Sequence, residues 1–142
     1  MRLRLLFGLG ILALPGRAAA QTAPPDSDRS TKAGVYSRAQ AEQGSELYML
    51  NCVSCHTAAT HTGPAFVAKW QGRPLSELFA FMRTEMPKND PGMLADVEYI
   101  VLLAYMLKLN GMPPGSEALP ADTLALQKIR IDFKPADPSQ NR

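Results

Sequence analysis

Cys52-Val53-Ser54-Cys55-His56 limits the architecture of this chain more than any other stretch. The 142 residues contain two cysteines, three positions apart, and one of the two histidines follows directly. This is the C-x-x-C-H pattern of haem attachment. Two thiols about one helical turn apart lie on one face and can both reach the vinyl groups of a single porphyrin. The adjacent imidazole can then swing under the ring and ligate iron through one nitrogen. Other uses of the pair fit less well. A Cys52–Cys55 disulfide would close a tiny loop with little effect on chain entropy. A thioredoxin-like redox pair belongs near a βαβ pattern, and none is visible. A zinc site needs two further ligands near a second Cys or His pair, and His61 alone remains. Thioether attachment uses both sulfurs and the histidine.

The first twenty residues read as an export signal. Arg2 and Arg4 precede an apolar run from Leu5 to Leu14, and Ala18-Ala19-Ala20 offers an A-x-A cleavage site before Gln21. Gly8, Gly10, Pro15 and Gly16 interrupt the run, which falls short of the roughly 20 apolar residues that a membrane span requires. Residues 1–20 carry Arg2, Arg4 and Arg17 and no acid, so their removal takes the net charge from +2 to −1. A near-neutral chain has no electrostatic bias toward nucleic acid or an anionic membrane. The expected setting is the bacterial periplasm, with no membrane span after cleavage.

Residues 21–35 are rich in Pro, Asp, Ser and Thr and read as a flexible lead-in. Ser37-Arg38-Ala39-Gln40 matches a capping box, and Ala41, Gly44, Leu47, Tyr48 and Cys52 follow it at helical spacing. A glycine inside this helix costs about 1 kcal/mol against alanine, which points either to a second helix crossing closely there or to a simply tolerated helical glycine. Thr57 to Lys69 reads as a polar loop of small residues containing His61, expected to be a surface histidine, and Gly63-Pro64. Pro74 suits the first position of a second helix, whose stripe is Leu75, Leu78, Phe79 and Met82. Pro87 forces Met86 out of helical geometry and ends that helix by Thr84. A third helix is expected from about Leu94 to Leu109, with Asp96 and Glu98 in its first turn, Lys108 in its last, and Asn110-Gly111 as its stop. It is too apolar for a one-sided surface helix, so the tail or a partner must cover it. Residues 112–142 form an extension expected to pack on the domain. Its parts are a short helix within Pro120 to Gln127, an extended strip in which Ile129, Ile131 and Phe133 alternate with Arg130 and Asp132, and a loose end beyond Lys134.

Taken in order, these features resemble the class I c-type cytochromes over roughly Ser37 to Gly111. The matching residues are Gly44 and Tyr48 on the first helix, the Cys52–His56 motif, Gly63-Pro64, Met86-Pro87, and Ala104-Tyr105 on the last helix. The segments Met86 to Leu94 and Tyr99 to Pro114-Gly115 are also similar to cytochrome subunits and domains of periplasmic quinoprotein dehydrogenases. The resemblance implies an all-α, small cytochrome c fold over residues 36–111, with three main helices around one covalently attached haem c. It implies thioethers at Cys52 and Cys55, with His56 as the proximal ligand and its ring N–H held by the Pro64 carbonyl. It implies Met86 as the distal ligand, with Met93 in reserve, and it places Trp70 near the haem propionates, ordinary core packing being the other reading of this residue. Arg73 either pairs with a propionate or stays on a solvated surface.

A site closed by histidine and methionine favours ferrous iron and one-electron transfer over oxygen chemistry. No acid, base or nucleophile cluster accompanies the motif. The reading is therefore an electron carrier and not an enzyme. It would pass electrons from a quinoprotein or other periplasmic dehydrogenase to a terminal oxidase or another cytochrome, free or as a dehydrogenase subunit. A haem-based sensor with a labile sixth ligand is the alternative.

Overall fold

A computed structural model of the protein describes residues 29–133. The expected signal segment and the end beyond Lys134 lie outside these residues. Within them the chain folds as an all-α domain of five helices with a single two-residue strand pair. The helices are α1 (Arg38–Asn51), α2 (Pro64–Trp70), α3 (Leu75–Glu85), α4 (Asp96–Leu109) and α5 (Thr123–Gln127). The strands are β1 (Arg29–Ser30) and β2 (Ile129–Arg130).

Helix α1 starts where its sequence directs. The Ser37 hydroxyl accepts from the Gln40 amide at 3.2 Å, and the Gln40 side chain accepts from the Ser37 amide at 3.2 Å. Two of the helix's orphan donors are thereby satisfied. Gln40 also clasps the tail: its Nε2 donates to the Leu119 carbonyl at 2.9 Å, and its Oε1 accepts from the Leu119 amide at 2.7 Å. The buried face of α1 (Ala41, Gly44 and Tyr48) packs on α4. At the crossing the two backbones nearly touch, because a Cβ on Gly44 would sit 1.9 Å from the Val101 carbonyl oxygen. Glycine is there for close approach.

Helix α3 buries Leu75, Leu78, Phe79 and Met82, the stripe that its spacing predicts, and packs against α4, α5 and β2. Pro74 sits one position before the helix as its N-cap, and the helix runs one residue past the expected end, to Glu85. Met86 then adopts extended backbone, as a residue before proline must. Helix α4 begins two residues later than expected. Ala95 at its N-cap has no side-chain acceptor, and Glu98 compensates by accepting from the Ala95 amide at 2.7 Å. Its last turn closes onto Gly111, whose φ of +71° is the left-handed geometry of a helix stop.

Two expectations are corrected. The stretch from Thr57 to Lys69 is not a plain loop: a short 3-10 turn spans Ala58–His61 and α2 begins at Pro64. Pro64 occupies the first helical position, where its missing N–H costs nothing, and Phe66 and Trp70 fall on one face four residues apart. The chain also becomes ordered before Ser37. Arg29–Ser30 pairs in parallel with Ile129–Arg130, Thr31 is fully buried, and Val35 and Tyr36 belong to the core.

The tail covers the apolar helices, as their composition requires. Met112, Leu119, Leu126, Ile129, Ile131 and Phe133 are all buried in the same core as α3 and α4. The lead-in and tail hold each other through Asp132, which accepts from Ser30 Oγ at 2.7 Å, Gln71 Nε2 at 3.3 Å and Arg130 Nη2 at 3.0 Å. These bonds hold the Asp132 carboxyl below its ordinary range, the Arg130 bond contributing most and the Ser30 bond next. Among the described residues no helix is long and apolar enough to cross a membrane.

Candidate functional site

The C-terminal end of α1 delivers the cysteine motif as a compact turn. The Cys52 amide donates to the Tyr48 carbonyl at 2.9 Å, and the Cys55 and His56 amides both donate to the Cys52 carbonyl, at 3.1 and 2.9 Å. Both thiols are free, Cys52 half-buried and Cys55 exposed. Burial raises the Cys52 thiol above its ordinary pKa, and the neighbouring Cys55 adds to the rise.

This turn forms one wall of a cavity of about 320 Å³. Cys52, Cys55 and His56 line it together with Phe66 and Trp70 of α2, Leu78, Phe81 and Met82 of α3, and Leu94 from the loop before α4. Tyr99, Leu102 and Met106 of α4 line it as well, and Met86 and Pro87 complete the wall from the loop after α3. Most of the exposed lining is apolar, as the faces of a tetrapyrrole require, and Asn51, Ser54, Thr60, Lys69, Lys88 and Asn89 supply polar groups beside the two histidines. Three methionines reach the cavity. Met82 and Met106 lie buried on helices, whereas Met86 sits in extended backbone at the helix end. Met93 is 52% exposed and stands outside the lining. The Tyr99 hydroxyl of α4 donates to the Met86 carbonyl at 2.7 Å.

The structure separates the remaining candidates. Trp70 is buried in the wall, with Lys69 Nζ 4.8 Å from one of its rings and the Arg73 guanidinium 5.1 Å away. Arg73 itself points along α3 and pairs with Glu77, outside the cavity. Lys69 is the lining cation nearest Trp70, with its Nζ 3.8 Å from the centre of the Phe81 ring. Pro64 is exposed at the start of α2 and does not line the cavity.

His61 is not the surface histidine its polar neighbours suggested. It is 9% exposed and lines the cavity, its ring 5.1 Å from that of His56 and near-perpendicular to Tyr48 and Phe66. Asn110 at the end of α4 anchors it by donating to the His61 carbonyl at 2.9 Å. Burial, and secondarily the neighbouring His56, lowers its pKa to about 4, so the imidazole is neutral at pH 7. His61 Nε2 and the Tyr48 hydroxyl are buried without a hydrogen-bond partner. Orphaned buried polar atoms are rare in native interiors and concentrate where a functional group belongs. Their place beside the Cys52–His56 turn, the free thiol pair and the apolar lining together fit a covalently held haem. No local pattern among its threonine and alanine neighbours marks His61 as buried. No local pattern marks Tyr99.

Residues 39–106 match the family model described as cytochrome C oxidase, cbb3-type, subunit III. No curated protein and no solved structure is significantly similar to the chain. The match supports a c-type cytochrome domain spanning α1 to α4, consistent with the helical fold. A domain of this type holds covalently attached haem c and is an electron-transfer module.

Proposed function

We propose that this chain is an exported one-electron carrier that links a periplasmic dehydrogenase to the respiratory chain through a His/Met-ligated haem c. The observation that carries this reading is the shared cavity, which has Cys52, Cys55 and His56 on one wall and Met86 on another. The haem would supply the single-electron couple, softened toward the ferrous state by thioether ligation. The chain supplies the rest. Cys52 and Cys55 would anchor the group, and His56 and Met86 would supply its iron ligands. Leu78, Phe81, Leu102 and Met106 exclude water from its faces. Trp70, buried in the lining, would donate its indole N–H to a propionate. A closed, dry site minimises reorganisation on electron transfer and leaves no coordination position for a substrate.

The donor in this reading is a quinoprotein or similar dehydrogenase, supported by the resemblance of the Met86–Leu94 and Tyr99–Gly115 segments. The acceptor is a terminal oxidase or another cytochrome. The family match is named for an oxidase subunit, which is a respiratory setting. Export is supported by the Arg2–Ala20 pattern.

The test is the absorption spectrum of the ferric holoprotein. A far-red sulfur-to-iron charge-transfer band, lost in Met86→Ala and kept in Met93→Ala, is expected. Rapid binding of CO to the wild-type ferrous protein would sink the carrier reading in favour of a sensor with a labile sixth ligand. Reduction by a purified quinoprotein dehydrogenase tests the donor.

A further inference from the structure

The loop that carries Met86 is held largely by bonds within itself. The Met86 amide donates to Met82, Asp90 to Pro87 and Met93 to Asp90, at 3.0, 3.0 and 3.3 Å. The first anchors the start of the loop to α3, and none of the three ties it to α4. One side chain does: Tyr99, 1% exposed in the first turn of α4, donates its hydroxyl to the Met86 carbonyl at 2.7 Å. Tyr99 stands on the helix that packs against α1, and α1 ends in the Cys52–His56 turn. The bond therefore ties the Met86 backbone to the helix that packs on α1, whose end carries the Cys52–His56 turn.

We propose that Tyr99 is a positioning residue for the distal ligand: its hydrogen bond to the Met86 carbonyl holds the thioether over the haem and sets how readily Met86 gives way. The inference rests on Met86 being that ligand. Methionine has three rotatable side-chain bonds and little intrinsic aim, so a fixed backbone is what makes its sulfur a dependable ligand. An exogenous ligand must displace Met86 to reach the iron, and displacement draws the loop away from α4. Losing the Tyr99 hydroxyl removes one buried hydrogen bond from the cost of that step.

A matched control exists in the same fold. Tyr36, also 1% exposed, donates its hydroxyl to the Met112 carbonyl at 2.7 Å and does not line the cavity. Tyr99→Phe and Tyr36→Phe thus delete the same chemistry, one at the Met86 loop and one away from it.

The experiment is titration of the ferric holoproteins with imidazole, followed by loss of the sulfur-to-iron band, with binding rates by stopped flow. Tyr99→Phe is expected to bind imidazole about three- to tenfold more tightly and faster than wild type, the worth of one net hydrogen bond. Tyr36→Phe is expected to match wild type in imidazole affinity while losing comparable thermal stability. Equal imidazole affinity in wild type and Tyr99→Phe would overturn the proposal, as would an equal gain in both variants, which would mark general loosening. A wild-type protein without the band, or a band that survives Met86→Ala, would overturn the ligand assignment beneath it. Those results differ from a wild-type band with an indifferent Tyr99→Phe.

Discussion

Substituting Gly44 by alanine tests whether the crossing of α1 and α4 is as tight as its geometry states. The added Cβ would lie 1.9 Å from the Val101 carbonyl oxygen, 2.5 Å from the Val101 carbonyl carbon and 2.9 Å from Tyr105 Cβ. Ordinary contact begins near 3.4 Å, so the helices must part by about 1.5 Å at this point. The obstacle is backbone, which cannot rotate away as a side-chain tip can. A gap of ~0.5–1 Å already forfeits a quarter to a half of the dispersion attraction between facing atoms. Ala41, Tyr48 and Ala104, all buried along this seam, would lose much of theirs. Overpacking costs about 1–3 kcal/mol and more where nothing can yield. Against it stands a gain of about 1 kcal/mol, because alanine is the better helix former. A backbone obstacle puts the cost at the upper end of the overpacking range, so the seam wins, with a net loss of about 2 kcal/mol expected. At ~4–8 °C per kcal/mol for a domain near this size, thermal unfolding of the holoprotein followed by far-UV circular dichroism should shift down by about 8–16 °C. Gln43→Ala, on the exposed side of the same helix, should move the midpoint little. A Gly44→Ala protein as stable as wild type, or more so, would refute the argument, because propensity would then outweigh the contact.

Three further outcomes probe the rest of the fold. Tyr36→Phe leaves the Met112 carbonyl without its 2.7 Å donor and should cost about 1–2 kcal/mol in urea unfolding. Ile131→Ala empties a fully buried position under the tail and should cost about 2–4 kcal/mol, while the band assigned to Met86 stays in place. Asp132 has a folded-state pKa below its ordinary value, so its contribution is complete above the ordinary carboxylate range and disappears as pH falls through the lowered pKa. Asp132→Asn should therefore be less stable than wild type near neutrality and converge with it as pH falls through the lowered carboxyl pKa, as measured by unfolding at several pH values.

Much of this molecule is legible within a few residues of chain. The Cys52–His56 spacing, the Ser37–Gln40 capping box, the break at Met86-Pro87 and the stop at Asn110-Gly111 act over one helical turn, so local chemistry decides them. The alternation of Ile129, Ile131 and Phe133 likewise announces a strip with one buried face. Gly44 leaves a close crossing and a tolerated helical glycine both open, and its contact with the Val101 carbonyl decides between them.

What local pattern does not carry is the partner of each surface. His61 reads as polar loop because its immediate neighbours are threonine and alanine; it is buried because Tyr48, Phe66 and Asn110, from three other elements, close around it. Arg29–Thr31 read as lead-in, yet their bonds reach Asp132 and Lys128, about a hundred positions away. Met86 and Met93 are both loop methionines in sequence; the fold turns one into the cavity and leaves the other exposed. Tyr99 looks like one more apolar residue of a buried helix until its hydroxyl meets the Met86 carbonyl. In each case the deciding interaction joins segments that are distant along the chain. Helix periodicity and capping determine which faces exist; close packing of those faces decides which polar atoms are left to meet.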